Sequence, residues 1–204
     1  MSAALLFVVT IAVMTGAALQ RLSGTGLALV TAPILSVLLG PVSGVLTVNL
    51  CSVISAAMLL PVVRAEIAWS KYRLLAPAAL VGAVPGAWLA VSLPTRMNAT
   101  AGVATPALMV YALASRWPHR SFAATLQPFF LTVATGSLLL KLPTADFSAL
   151  SWSVLAAAVF ALPTGIAVAG FLRHKVDADR ARRLAIILAY LGALAAIVRA
   201  VLIG

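Results

Sequence analysis

Gln20-Arg21-Leu22-Ser23-Gly24-Thr25-Gly26 is a polar, glycine-rich interruption in a run that is otherwise apolar from Ala3 to Leu39. A hydrocarbon core offers no water to backbone groups, so interrupted backbone at membrane depth must line a cavity or be buried in protein. Transporters build substrate sites from such discontinuous helices, and free amide groups at the start of a half-helix attract anions. The same residues also fit a short loop joining two helices at the membrane surface. Their surroundings must separate the two readings.

Those surroundings are hydrophobic throughout. Of the 204 residues, 63% are hydrophobic and 9% charged, and the mean hydropathy is +1.13. Soluble chains carry about 25% charged residues. Apolar stretches of about 20 residues, the length that spans a bilayer core, recur from end to end. Every polar interval is shorter than about 15 residues, too short for an extramembrane domain. No basic residue precedes Leu5 and further apolar segments follow at once, so the first segment is expected to remain as a span. The expected fold is an all-α polytopic membrane protein, with one membrane-embedded domain over 1–204.

The pattern predicts about eight membrane segments: 3–19, 26–39, 42–62, 74–93, 99–114, 122–140, 150–172 and 184–203. The second is short for a full crossing, so the first two are either two spans or a broken, re-entrant hairpin. Gly40-Pro41 and Pro94 fall between segments, as helix breakers should.

Charge orients the segments. If they alternate, one side receives Arg21, Arg64, Lys71, Arg73, Arg116, Arg120, Arg173, Lys175, Arg180, Arg182 and Arg183. The other side receives Arg96, Lys141 and Arg199. Basic residues concentrate in cytoplasmic loops, so the first side is expected to be cytoplasmic and the C-terminus outside. The same rule accounts for the net charge of +10 without a nucleic-acid partner. The expected surroundings are the lipid bilayer of the plasma membrane, with multiple passes.

A degenerate inverted repeat is also legible. Trp69-Ser70 precedes a segment containing Pro85-Gly86, a short basic loop and another segment. Trp152-Ser153 precedes a segment containing Pro163-Thr164-Gly165, a basic loop and another segment. The two copies run in opposite directions in the alternating topology, an arrangement common in secondary transporters. Residues 1–115 form the first repeat and 116–204 a shortened second one, which lacks a counterpart of the 3–39 pair. Dimerisation to a homodimer or a single broken hairpin would then complete a pathway.

Chemistry is sparse. The acids Glu66, Asp146, Asp177 and Asp179 and the histidines His119 and His174 all fall in loops. No spacing suits a metal, a nucleophile–base pair or a phosphate-binding loop, so no enzyme, cofactor or metal is expected. Cys51 lies in an apolar segment and reads as a packing residue. Within the segments stand Thr31, Ser52, Ser55, Thr132, Thr135 and Ser137, and Ser or Thr there often bonds its own helix backbone. Amides are costlier to bury, which singles out Gln20, Asn49 and Gln127. With Ser23, Gly24, Thr25 and Gly26 they make a neutral, donor-rich substrate site suited to a small anion. Arg21 is either a gate and anion attractor or a surface anchor. Pro33, Pro85, Gly86, Pro163 and Gly165 are assigned hinge or packing roles, as are Gly82 and Gly170.

The stretch Gln20 to Pro33, followed by Leu39-Gly40-Pro41 and Val48-Asn49-Leu50, resembles the opening repeat of the sulfite exporter TauE/SafE family of permeases. Val84-Pro85-Gly86-Ala87 and Leu162-Pro163-Thr164-Gly165 resemble later parts of it. The resemblance implies a plasma-membrane permease for sulfite, sulfonates or related organic anions. Members carry a second glycine-rich hairpin. Here the chain passes from Arg116 directly to Ser121–Pro128, which resembles the helix after that hairpin. Two alternatives remain open: an exporter of another small metabolite such as an amino acid, or a non-transporting membrane subunit.

Overall fold

The computed structural model of the chain describes residues 3–24, 26–92, 114–141, 151–172 and 175–194 apart from 178, 179, 182, 189 and 193. Its elements are α1 (Ala3–Ser23), α2 (Gly26–Leu39), α3 (Pro41–Val63), a 3-10 turn (Arg64–Glu66), α4 (Trp69–Ser92), α5 (His119–Lys141) and α6 (Trp152–Leu172). A shorter apolar helix covers Arg183–Gly192. The described residues contain helices and no strand.

Four of these helices are long and apolar enough to cross a membrane: Ala3–Ser23, Val42–Glu66, His119–Leu139 and Trp152–Leu172. The chain is therefore a helical membrane protein, and the expected eight segments are corrected to four long apolar helices among the described residues. The physical reason is length. The 14 residues of α2 rise about 21 Å, short of the roughly 30 Å hydrocarbon core. Of the predicted segments, 99–113, residue 93 and 195–203 lie outside the described residues.

The helices are apolar on every side rather than striped, so inward and outward faces both carry large hydrophobics. Val9, Val13 and Ala17 of α1, Leu27 and Leu35 of α2, Val48 and Leu59 of α3, and Ala158, Leu162 and Ile166 of α6 form the main core. Outward, Phe160 is 76% exposed and Phe171 83%, a surface that lipid rather than water accommodates. α1 is central, packing against α6 on one side and α2 on the other, while α3 joins this group to α5 and α5 to α4.

Small residues set the closest approach. Ala161, Gly165 and Ala169 recur every four residues along α6 and face α1. A Cβ added to Gly165 would run into the Met14 carbonyl and meet Ala17 at 3.1 Å. Gly165 is thus packed closely against α1, whereas Pro163 is exposed on the outer face. Pro33 of α2 lies against Gly192, 2.9 Å from where its Cβ would stand. Pro85 and Gly86 belong to the helical backbone of α4, with their side-chain surroundings outside the described residues.

α2 ends at Leu39 and Pro41 opens α3, with Gly40 between them at φ +87°. Proline at the first position of a helix loses no intrahelical hydrogen bond, so it starts α3 as readily as it would have broken α2. At the other end of α3, the 3-10 turn leads to Ala68, whose N–H donates to Thr125 Oγ1 at 2.9 Å. Trp117 stacks edge-on to Phe122 and carries the Lys71 ammonium at 4.0 Å from its ring centre. These contacts fasten the start of α5 beside the start of α4.

Candidate functional site, a polar pocket at one end of the bundle

The interruption at the head of the chain is tighter than its composition suggests. Gln20 to Ser23 stay helical, and α1 ends only where Gly24 takes φ +83° and donates its N–H to Gln20 O at 2.7 Å. That left-handed residue is the usual glycine stop of a helix. Gly24 is also pressed against α5, because a Cβ there would lie 2.5 Å from Ala123 Cβ. The end of α1 at Gly24 is thus buried in protein. Thr25 lies outside the described residues, and Gly26 opens α2.

Burying the end of α1 against α5 brings two of the three singled-out amides together. Gln20 Nε2 donates to Gln127 Oε1 at 2.8 Å across 107 residues of sequence. Ser55 of α3 donates to Gln20 Oε1 at 3.1 Å, and Gln127 Nε2 donates to Ala123 O at 3.2 Å. All three side chains are buried. A carboxamide nitrogen has two hydrogens. The bonds named use one on each glutamine and leave one for another acceptor.

Gln20 and Gln127 form the base of a pocket of about 360 Å³. Arg21, Gly24 and Ala123 line its wall, and Glu66, His119, Arg120 and Asp177 surround its mouth. Arg21 NH1 donates to Ile166 O on α6 at 2.9 Å. Gly170 makes room for this guanidinium, which would stand 3.1 Å from a Cβ at that position. The positive group lies near the C-terminal ends of α1 and α6, where helix dipoles favour it. It is tied to α6 while it also faces the pocket.

At the mouth, Arg120 and Glu66 approach to 3.8 Å, a partly exposed pair that contributes little to stability. His119 begins α5, and its Nε2 is buried without a hydrogen-bond partner. Such an atom at a pocket wall is an unmet bonding position.

The remaining predicted residues fall elsewhere. Ser23 donates its hydroxyl back to Leu19 O at 2.8 Å, so it is occupied within α1. Asn49 is not in the pocket and donates to Ser137 Oγ of α5 at 3.1 Å. Thr31, Thr125 and Thr132 also bond the carbonyl four residues earlier, as expected of hydroxyls in a membrane helix. Sequence reasoning missed Glu66, His119, Arg120 and Asp177, which looked like ordinary loop charges. The available signal was that Arg21, Arg64, Arg120 and Lys175 were already assigned to one side. The described parts of those loops do converge: α1, α3 and α6 end near this pocket and α5 begins there.

In comparison with known proteins, the chain matches no protein family, no curated protein and no solved structure.

Proposed function

We propose that the chain is an integral membrane permease that moves small anions, of the class of sulfite, sulfonates or related organic anions, across the plasma membrane by alternating access. The pocket carries this reading. Its base offers spare carboxamide hydrogens on Gln20 and Gln127, its wall holds the Arg21 guanidinium, and its acids stand only at the mouth. Donors held in a site with little water attract an anion more strongly than they would in solution. The resemblance of Gln20–Pro33 to the sulfite exporter family supports the same class. The charge bias puts the pocket mouth in the cytoplasm. The inverted repeat supplies the two alternating arrangements, and a homodimer would supply the hairpin that the second repeat lacks.

Purified protein in proteoliposomes should carry sulfite or a short sulfonate. Gln20→Ala should abolish that flux with the folded yield intact. Equal flux in the variant would remove Gln20 from the site. A second reading is favoured by Glu66 and Asp177, whose carboxylates at the mouth beside Arg120 also suit a zwitterion such as an amino acid. Thermal stabilisation by amino acids and not by sulfite or sulfonates would decide for it.

A further inference from the structure

Arg21 rests on a part of α6 that has no side chain. On α1, Ala17 packs at Gly165, and Arg21 stands one turn later. α6 advances alongside, from Gly165 to Gly170, so the guanidinium settles on the second of these glycines. A Cβ at Gly170 would stand 3.1 Å from the guanidinium carbon and 3.1 Å from each terminal nitrogen. A point that far from all three atoms of a planar group lies over its face and not at its edge. The guanidinium therefore lies flat against the bare backbone of Gly170.

That posture fixes where the donors point. The N–H groups lie in the guanidinium plane, along α6 rather than into it. One of the five donates to Ile166 O at 2.9 Å, and that bond leaves four. Among the described residues, the ion pair at the pocket mouth joins Glu66 to Arg120 and not to Arg21. Arg21 lines the pocket wall beside Gln20. Two parallel N–H groups on a fixed plane match two oxygens on one central atom, as in a sulfonate, sulfite or carboxylate. A halide is a single spherical acceptor that gains only from the charge, which a lysine supplies as well.

We infer that Gly170 is a positioning residue for anion selectivity: it beds the Arg21 guanidinium so that its fork reads an oxyanion headgroup in the pocket. The inference rests on the permease reading and gives it a reason to prefer oxyanions over halides. A side chain at position 170 would lift the guanidinium from α6, stretch the bond to Ile166 O and let the fork swing. The positive charge would remain in the wall. Selectivity would fall while attraction for anions of any shape persisted.

The test is the ratio of methanesulfonate to chloride flux for the full chain in proteoliposomes. Arg21→Lys should lower this ratio about tenfold, the scale of one lost hydrogen bond. Gly170→Val should lower it by a similar factor, and Gly170→Ala, a smaller intrusion, by less. In the Arg21→Lys background Gly170→Val should have no further effect on the ratio, because the two changes remove one interaction. A glycine needed only for packing would lower the thermal transition and leave the ratio alone. A wild-type ratio in Gly170→Val, or in Gly170→Ala where valine prevents folding, would overturn the inference, as would an undiminished further loss in the double variant. Flux with that unchanged ratio keeps the permease reading and discards only the role of Gly170. If the wild-type chain carries neither anion, the permease reading fails, and thermal stabilisation by the two salts replaces flux. Stabilisation by methanesulfonate over chloride that Gly170→Val abolishes upholds the positioning of Arg21 without transport. Stabilisation by neither, or by both alike, discards it as well.

Discussion

At the scale of single residues, the pocket depends on how amides and glycines behave once water is gone. Gln20 and Gln127 stand out in the sequence because a buried carboxamide needs partners. Their partnership was not legible, since nothing in local sequence links positions 107 apart. Asn49 carries the same signal yet pairs with Ser137, so the amide rule finds buried polar positions and does not sort them into one site. Gly24 shows the converse. Its place after a polar helix end marks a stop, and the contact with Ala123 adds a demand that only the fold reveals. Gly24→Ala would force a left-handed alanine and a clash together, lowering stability by about 2–4 kcal/mol. Denaturation in detergent micelles would read this as an early transition, and an unshifted transition would mean that α1 does not end as described.

At the scale of elements, hydropathy located the helices well and their number poorly. The segments 3–19, 42–62, 122–140 and 150–172 correspond to the four long apolar helices. Part of the excess came from counting α2 as a crossing, although 14 residues fall short of the bilayer; α4 covers most of 74–93 without standing among the four, and 99–113 and 195–203 lie outside the described residues. Helix contacts follow small residues, because apolar helices in lipid gain from close packing rather than from leaving water. α1 and α6 meet through Ala161, Gly165 and Ala169. Gly165→Ala should therefore loosen this pair and lower stability by about 1–3 kcal/mol. Thr164→Val, on the exposed neighbour whose hydroxyl bonds only Phe160 O, serves as the silent comparison. Equal melting of both variants in detergent would argue against the α1–α6 contact.

At the scale of the whole molecule, loop charges that are scattered in sequence gather at one end. Arg21, Glu66, Arg120 and Asp177 line one pocket because three helices end there and another begins. The proposed orientation sets that end in the cytoplasm. Arg120→Cys in a Cys51→Ala background should accordingly react with an impermeant thiol reagent added to inside-out vesicles and resist it in right-side-out ones. The reverse pattern would invert the protein and make the pocket an outward-facing one.

Sequence by itself determined the solvent of this protein, the extent of its apolar helices and which side chains are too polar to be left unpartnered in hydrocarbon. Those properties follow from length, transfer free energy and hydrogen-bond inventory, which are local. Only the tertiary structure decided that α1 ends at Gly24, a buried left-handed glycine pressed against α5. It also decided that Gln20 meets Gln127 and Ser55, while Asn49 meets Ser137. Such pairings are set by which helix faces lie close enough to touch, and in apolar helices without a polar stripe the sequence leaves those faces unmarked.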